Sequence, residues 1–134
     1  MMQSRIGPDL NSLSAQERGE AVNHLVAAAD EDAVAVLGRA LLDSHWPLCD
    51  ELAEALARIG TRPAKAALLK ALKARRHHIR SAAVKALATI GGPAASTAIQ
   101  SLANDSSYEV RQDVAEALQR FQPKAQHRER HQRR

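Results

Sequence analysis

The chain has 134 residues, which is enough for one small domain. Ala and Leu fill 27 and 15 of these positions, whereas Phe, Trp and Tyr occur once each, so the composition argues against an all-β fold. The net charge is +4, but segment 124–134 alone carries +4 (five Lys or Arg against one Glu), so the remainder is neutral and its charge does not predict a nucleic-acid partner.

The elements predicted in chain order are helices. Residues 1–12 are expected to be mobile, and residues 122–134 are expected to be a basic, disordered tail. Gly60 before Pro63, and Gly91-Gly92 before Pro93, mark helix ends followed by helix starts. Seven helices are predicted, at 14–29, 33–42, 46–59, 63–74, 77–90, 93–104 and 107–121.

The single cysteine bounds the chemistry and the compartment. Cys49 alone cannot form a disulfide framework or a CxxC metal site, and it favours a reduced compartment, so a cytoplasmic location is expected. No apolar run approaches the roughly 18 residues of a membrane span, and the first residues lack the apolar stretch of a signal peptide, so no membrane partner is expected.

A repeat of 31 residues runs through the chain. Leu25, Leu56, Leu87 and Leu118 are each 31 residues apart, and further columns of apolar residues keep the same spacing. An arginine recurs at Arg18, Arg80 and Arg111, and Cys49 replaces it in the second copy. Such a period indicates repeated units, each built from an antiparallel pair of helices.

The segments DSSYEVRQDVAEALQRF and RRHHIRSAAVKALATIGG resemble the second helix of a HEAT repeat, and most closely the short HEAT-like units of the phycobilisome-lyase type. The resemblance implies an all-α, right-handed α-solenoid of antiparallel helix pairs, with about three and a half units over residues 13–121. It also implies that helices 46–59, 77–90 and 107–121 line the concave face. In this family the recurring Arg pairs with an Asp, and we expect Asp43 to pair with Arg80 across two units.

Catalytic and metal-binding patterns are not found in the sequence. No histidine pair lies at i, i+4 in the predicted folded part, and the chain has no His-Glu dipeptide, which deoxyhypusine hydroxylases, a family of HEAT enzymes, use to bind two irons. Cys49 has His45 one turn before it, but the pair lacks an oxyanion site. We therefore expect no catalytic residue, no metal and no cofactor, and a chain that is not an enzyme.

The predicted concave face carries five acids and three bases at positions off the apolar stripe, which suits a polypeptide better than DNA. Trp46 is interpreted either as a core residue or as an exposed anchor, and the alternative interpretation of each other position is an ordinary solvated helix face. The predicted partner-binding residues are Trp46, Asp50, Glu54, Arg58, Lys85, Thr89, Glu116 and Arg120.

A second candidate surface is the basic run at 70–80. It is interpreted either as a solvated turn favoured by a helix dipole or as an anion contact made by Lys70, Lys73, Arg75 and Arg76. The predicted function is a non-catalytic protein–protein interaction module, a small scaffold or adaptor. The first alternative is a nucleic-acid-binding accessory protein that uses the basic run and the tail, with weak binding. The second, by family resemblance, is a bilin-lyase-like enzyme or chaperone.

Overall fold

The computed structural model describes residues 9–121, so the predicted tail and the first eight residues of the predicted mobile segment lie outside the described residues. Residues 9–121 form seven α-helices and one short 3-10 helix, Leu10–Ser12, and contain no β-strand. The α-helices are α1 (Ala15–Ala28), α2 (Glu31–Asp43), α3 (Leu48–Ile59), α4 (Arg62–Ala71), α5 (His77–Ile90), α6 (Pro93–Gln100) and α7 (Tyr108–Phe121). All seven predicted helices are confirmed.

The helices form two layers. Helices α1, α3, α5 and α7 pack side by side in one layer, and α2, α4 and α6 form the other. In the first layer α3, α5 and α7 pack closely on one another, whereas α4 and α6 of the second layer hardly touch. The α1-α3-α5-α7 layer contains the helices that the HEAT resemblance places on the concave side, and it is called the concave layer below. The all-α solenoid expected from the repeat is confirmed.

Local signals in the sequence explain where the helices begin and end. Ser14 and Glu17 form a capping box at the start of α1, and the Asp30 side chain accepts a hydrogen bond from the N–H of Ala33 (2.8 Å) at the start of α2. Gly60 ends α3 with a φ of 67°, which is the left-handed region that glycine adopts without a Cβ penalty.

Two helices end earlier than the sequence predicts. Helix α4 ends at Ala71 and α6 at Gln100, not at 74 and 104. The residues that follow turn more tightly: the N–H of Lys73 bonds to the carbonyl of Lys70 (3.0 Å), three residues back, and the N–H of Ala103 bonds to that of Gln100 (3.0 Å). These tight last turns provide hydrogen-bond donors for backbone carbonyls that would otherwise be left without a partner at the helix end.

The core follows the repeat columns. Leu56 and Leu87 are buried in the middle of the stack, whereas Leu25 and Leu118, in the helices at its two ends, are half-buried. Small residues let the helices approach: a Cβ added at Gly38 would lie 3.4 Å from the Cβ of Ala67, where α2 meets α4. The helices of the two layers thus pack on one another through a shared apolar core.

The described residues begin before the predicted domain boundary at 13. Leu10 lies in the short 3-10 helix and is buried in the core, and the side chain of Asp9 caps this helix. Burial of Leu10 removes apolar surface from water, which orders this part of the segment predicted to be mobile. Across residues 9–121 no helix has both the length and the apolar character needed to cross a bilayer.

Candidate functional site

A groove lies between α3 and α5 on the concave layer. Its walls carry Asp50, Glu54, Lys85 and Thr89, its floor consists of three alanines, and it encloses about 280 Å³. The alanines are Ala57, Ala82 and Ala86. Four of the eight predicted partner-binding residues therefore share one groove, because the 31-residue repeat places the same faces of α3 and α5 side by side.

One ion pair crosses the groove. The ammonium of Lys85 lies 3.1 Å from one carboxylate oxygen of Asp50 and 3.2 Å from the other, and both side chains are about half exposed. Burial lowers the pKa of Lys85, but the hydrogen bond and charge of Asp50 outweigh it, so the pKa of Lys85 lies above its ordinary value. Lys85 is therefore protonated in the groove at neutral pH.

Glu54 stands beside this pair without a partner of its own. Within residues 9–121 its carboxylate makes no hydrogen bond and no ion pair, and its side chain is exposed. A second acid, Asp113, accepts a hydrogen bond from the hydroxyl of Ser81 and extends the polar surface from α5 towards α7. The groove therefore presents an apolar floor, one paired cation and an unpaired carboxylate.

The other predicted partner-binding residues lie outside the groove. Arg58, Glu116 and Arg120 are exposed on α3 and α7 but do not line it. Trp46 is exposed over 62% of its surface, so of its two interpretations the structure shows the exposed one. Its ring lies 6.2 Å from the ring of His78, between the centroids, just ahead of α3.

The four predicted anion-binding residues meet at one depression. Lys70, Lys73, Arg75 and Arg76 line a pocket of about 630 Å³ at the end of α4, together with Leu42, Ala74 and Ile79. The guanidinium of Arg76 also donates to the carbonyl of Ser44 (2.7 Å), which fixes it against the preceding unit. The structure thus brings the basic residues together, with one of them already engaged.

The predicted pairing of Asp43 with Arg80 is wrong. The guanidinium of Arg80 binds both carboxylate oxygens of Asp105, at 3.0 and 2.9 Å, and the carbonyls of Ala74 and Arg75. Arg80 therefore reaches forward to the following unit, not back to the preceding one. Helix α2 ends at Asp43, whose side chain is left exposed.

A cluster that the sequence search did not find joins α5 to α7. The Nε2 of His77 and the Nδ1 of His78 lie 3.1 and 3.7 Å from the same carboxylate oxygen of Glu109. A metal site within one helix needs histidines one turn apart, whereas these two are adjacent in sequence. The repeat register could have found the cluster, because Glu109 follows His78 by 31 residues and so lies beside it in the next unit.

Comparison with known proteins identifies the family. A family model described as HEAT repeats matches residues 50–119, just over half of the chain, so the chain belongs to the HEAT-repeat family. HEAT repeats generally mediate protein interactions. No curated protein matches the chain in sequence. The finer resemblance to the phycobilisome-lyase type gains no support from these findings.

A solved structure corrects the prediction about catalysis. Human deoxyhypusine hydroxylase in complex with glycerol is 27% identical, with a TM-score of 0.67, over 88% of this chain and 42% of that chain. The chain thus spans less than half of that enzyme. The prediction that the chain is not an enzyme is therefore wrong. It rested on the absence of catalytic patterns in the sequence, whereas a protein of similar fold and 27% identical sequence is an enzyme.

Proposed function

We propose that this chain binds a polypeptide of basic or mixed charge along its concave layer, centred on the groove between α3 and α5. The observation that carries the proposal is the carboxylate of Glu54, which has no partner among residues 9–121, beside an apolar floor of three alanines. An aliphatic stem fits such a floor, and a Lys or Arg head at its end would pair with Glu54. The proposal does not depend on whether the chain also catalyses a reaction.

Two further features support this choice of ligand. The Asp50–Lys85 pair holds one cation and one anion on opposite walls, so a partner can match charges of both signs. Trp46 is exposed on the chain segment that leads into α3, and exposed aromatic residues are frequent anchors at interfaces. A cytoplasmic location is part of the proposal; Cys49, free and buried, is compatible with it.

Charge reversal in the layer tests the proposal. We expect Glu54→Lys with Glu116→Lys to weaken binding of fluorescein-labelled Lys- and Arg-containing peptides by about 1–3 kcal/mol, or roughly 5- to 150-fold. The matched control is Asp32→Lys with Asp43→Lys, which makes the same change in charge on α2 of the other layer. Anisotropy titrations measure both variants, and circular dichroism verifies that they fold. Equal weakening in both variants, or no preference for basic over acidic peptides, contradicts the proposal.

Binding of nucleic acid is a second candidate, because four cationic side chains share the pocket at the end of α4. Replacing Lys73, Arg75 and Arg76 by Gln should lower affinity for labelled single-stranded DNA and RNA and flatten its salt dependence by up to about 0.7 log units per lost phosphate contact. We expect the wild-type affinity to be weak and lost at physiological salt. Tight, salt-resistant binding to one defined nucleic acid would replace the peptide proposal.

A further inference from the structure

We propose that His77, His78 and Glu109 bind a divalent transition-metal ion of the Zn²⁺ class. One ligand atom from each of the three side chains lies within 4.8 Å of the other two. Ligands of a tetrahedral zinc ion, each about 2.0–2.2 Å from the metal, are about 3.3 Å apart. The two measured separations from the Glu109 oxygen, 3.1 and 3.7 Å, lie on either side of that value. Two of the three ligand separations are thus close to those of a tetrahedral site.

The ligand types select the class of metal. Two imidazole nitrogens and one carboxylate oxygen suit Zn²⁺ and its neighbours in the first transition row, whereas Mg²⁺ and Ca²⁺ prefer a full set of oxygen ligands. Three protein ligands leave a fourth position of a tetrahedral ion for water or an external group. The site is thus of the open type, not of the closed structural type.

Exposure favours exchange of the ion with solvent. Both histidine side chains and Glu109 are partly exposed, so an ion enters without local unfolding. Cys49 is not a fourth ligand, because it is buried and its Sγ faces the carbonyl of His78 at 3.5 Å. The indole of Trp46 lies beside the ring of His78, with 6.2 Å between the ring centroids.

The arginines near the cluster repel a bound ion less than free cations would, because their guanidinium groups are engaged elsewhere. Arg76 donates to the carbonyl of Ser44, Arg80 binds Asp105, and Arg111 donates to the carbonyl of Asp105 at 2.7 Å. Each guanidinium is therefore held by acceptors of its own. The negative charge of Glu109 partly balances the ion, and the helix termini, whose dipoles disfavour cations, limit the affinity.

The cluster lies apart from the groove in which the peptide is proposed to bind. His78 and Lys85 are seven residues apart on α5, which corresponds to about 10 Å along the helix axis. Because the ligands come from α5 and α7, a bound ion links two consecutive repeat units at the ends of these helices. The metal site is therefore distinct from the groove, although Trp46 borders both the cluster and the proposed peptide surface, and metal binding also stabilises the stack.

Cobalt and zinc titrations of the full chain, prepared without a histidine tag, test the site. We expect one Co²⁺ per chain with visible d–d absorption, displacement by Zn²⁺, and a melting temperature that rises with Zn²⁺ concentration. His77→Ala, His78→Ala and Glu109→Gln should each lower the affinity at least ~10-fold, since loss of outer-shell partners alone has effects of that size.

Two control variants address histidines outside the cluster. His24→Ala removes an exposed histidine on α1, and His127→Ala with His131→Ala removes the pair in segment 124–134. Both should retain wild-type affinity within ~2-fold. Glu109→Gln changes only an exposed side chain, so it tests the site even if a histidine variant fails to fold.

Three outcomes overturn the proposal. Wild-type protein that binds no Co²⁺ or Zn²⁺ above the level of a variant carrying His77→Ala, His78→Ala and Glu109→Gln together shows that the cluster does not hold such an ion. Binding that is unchanged in Glu109→Gln and both histidine variants places the metal elsewhere. Binding that disappears with His127→Ala and His131→Ala assigns the metal to the C-terminal segment instead.

Discussion

The arginine that recurs in the repeat makes different contacts at two junctions of the stack. One junction lies between α5 and α7, and the other lies between α1 and α3. Between α5 and α7, Arg80 binds both oxygens of Asp105, and the two side chains are only 13% and 8% exposed. Between α1 and α3, Arg18 makes one contact of 2.9 Å with Glu51, at 24% and 36% exposure. The first pair has two charge-assisted hydrogen bonds and is largely shielded from water, whereas the second has one and is partly exposed to it.

The junction between α3 and α5, which lies between these two, has no arginine at this position of the repeat. Cys49 occupies the column there, buried completely, with its Sγ against the carbonyl of His78. Burial, and then the charge of Asp50, raise the pKa of the Cys49 thiol, so it stays neutral and behaves as a small apolar side chain. A recurring arginine in a repeat sequence therefore does not by itself indicate a strong link between units; the depth of the contact decides.

The leucine column should show the largest difference between the middle and the N-terminal end of the stack. Leu87→Ala is expected to lower the free energy of unfolding by about 2–5 kcal/mol, because a buried leucine with neighbours on both sides leaves a cavity. Leu25→Ala should lower it by less, because Leu25 is half-buried. Urea unfolding measures both, and equal losses would mean that the units do not differ in packing.

Removal of the buried carboxylate should have the next largest effect. Asp105→Asn is expected to lower the free energy of unfolding by about 2–3 kcal/mol at pH 7, because the partly buried Arg80 guanidinium loses its charged partner. Asp43→Asn is the matched control, since Asp43 was the wrongly predicted partner, and it should change stability by less than ~0.5 kcal/mol. Similar losses in both variants would contradict the assignment of Asp105.

The same carboxylate should give the stability a dependence on acid pH. Burial raises the pKa of Asp105, but hydrogen bonds from Arg80 and from the N–H of Ser107 outweigh it, so its pKa lies below its ordinary value. Its contribution is therefore complete above the unfolded pKa of about 3.9 and is lost as the pH falls through the lower, folded pKa. Unfolding at pH 6, 4 and 3 should show the gap between wild type and Asp105→Asn narrowing. A constant gap would refute this.

The pair between Arg18 and Glu51 should have the smallest effect. Arg18→Met is expected to change the free energy of unfolding by less than about 1 kcal/mol, because a partly exposed ion pair gains little over its two hydrated partners. High salt should leave wild type and variant still closer together. A loss as large as that of Asp105→Asn would remove the contrast between the two junctions.

The sequence predicts the fold well because a 31-residue period and helix caps both act locally along the chain. The column of Leu56 and Leu87 and the Gly60 turn predict the helices and the buried face directly. The ends of α4 and α6 were predicted three or four residues late, because Leu72 and Leu102 keep the apolar pattern going after the backbone has tightened into turns.

Contacts between units are harder to predict than the units themselves. The pairing of Arg80 depends on which way its long side chain extends, and the carbonyls of Ala74 and Arg75 direct it towards Asp105. The sequence predicts four of the seven residues that line the groove, because the register of neighbouring copies places Asp50, Glu54, Lys85 and Thr89 on the same face. The histidine–glutamate cluster follows from that register as well, but only if ligands are sought across copies and not within one helix.

The exposed indole of Trp46, just before α3, allows ligand binding to be followed by intrinsic fluorescence. Trp46 is the single tryptophan, so all indole fluorescence comes from one place, and its largely exposed ring should emit at long wavelength in the free protein. Because its ring lies 6.2 Å from that of His78, a paramagnetic ion such as Co²⁺ held by the adjacent imidazoles should quench this emission, whereas a peptide that covers the ring should shift it to shorter wavelength. One unlabelled sample can thus distinguish the two kinds of ligand by intensity and by colour.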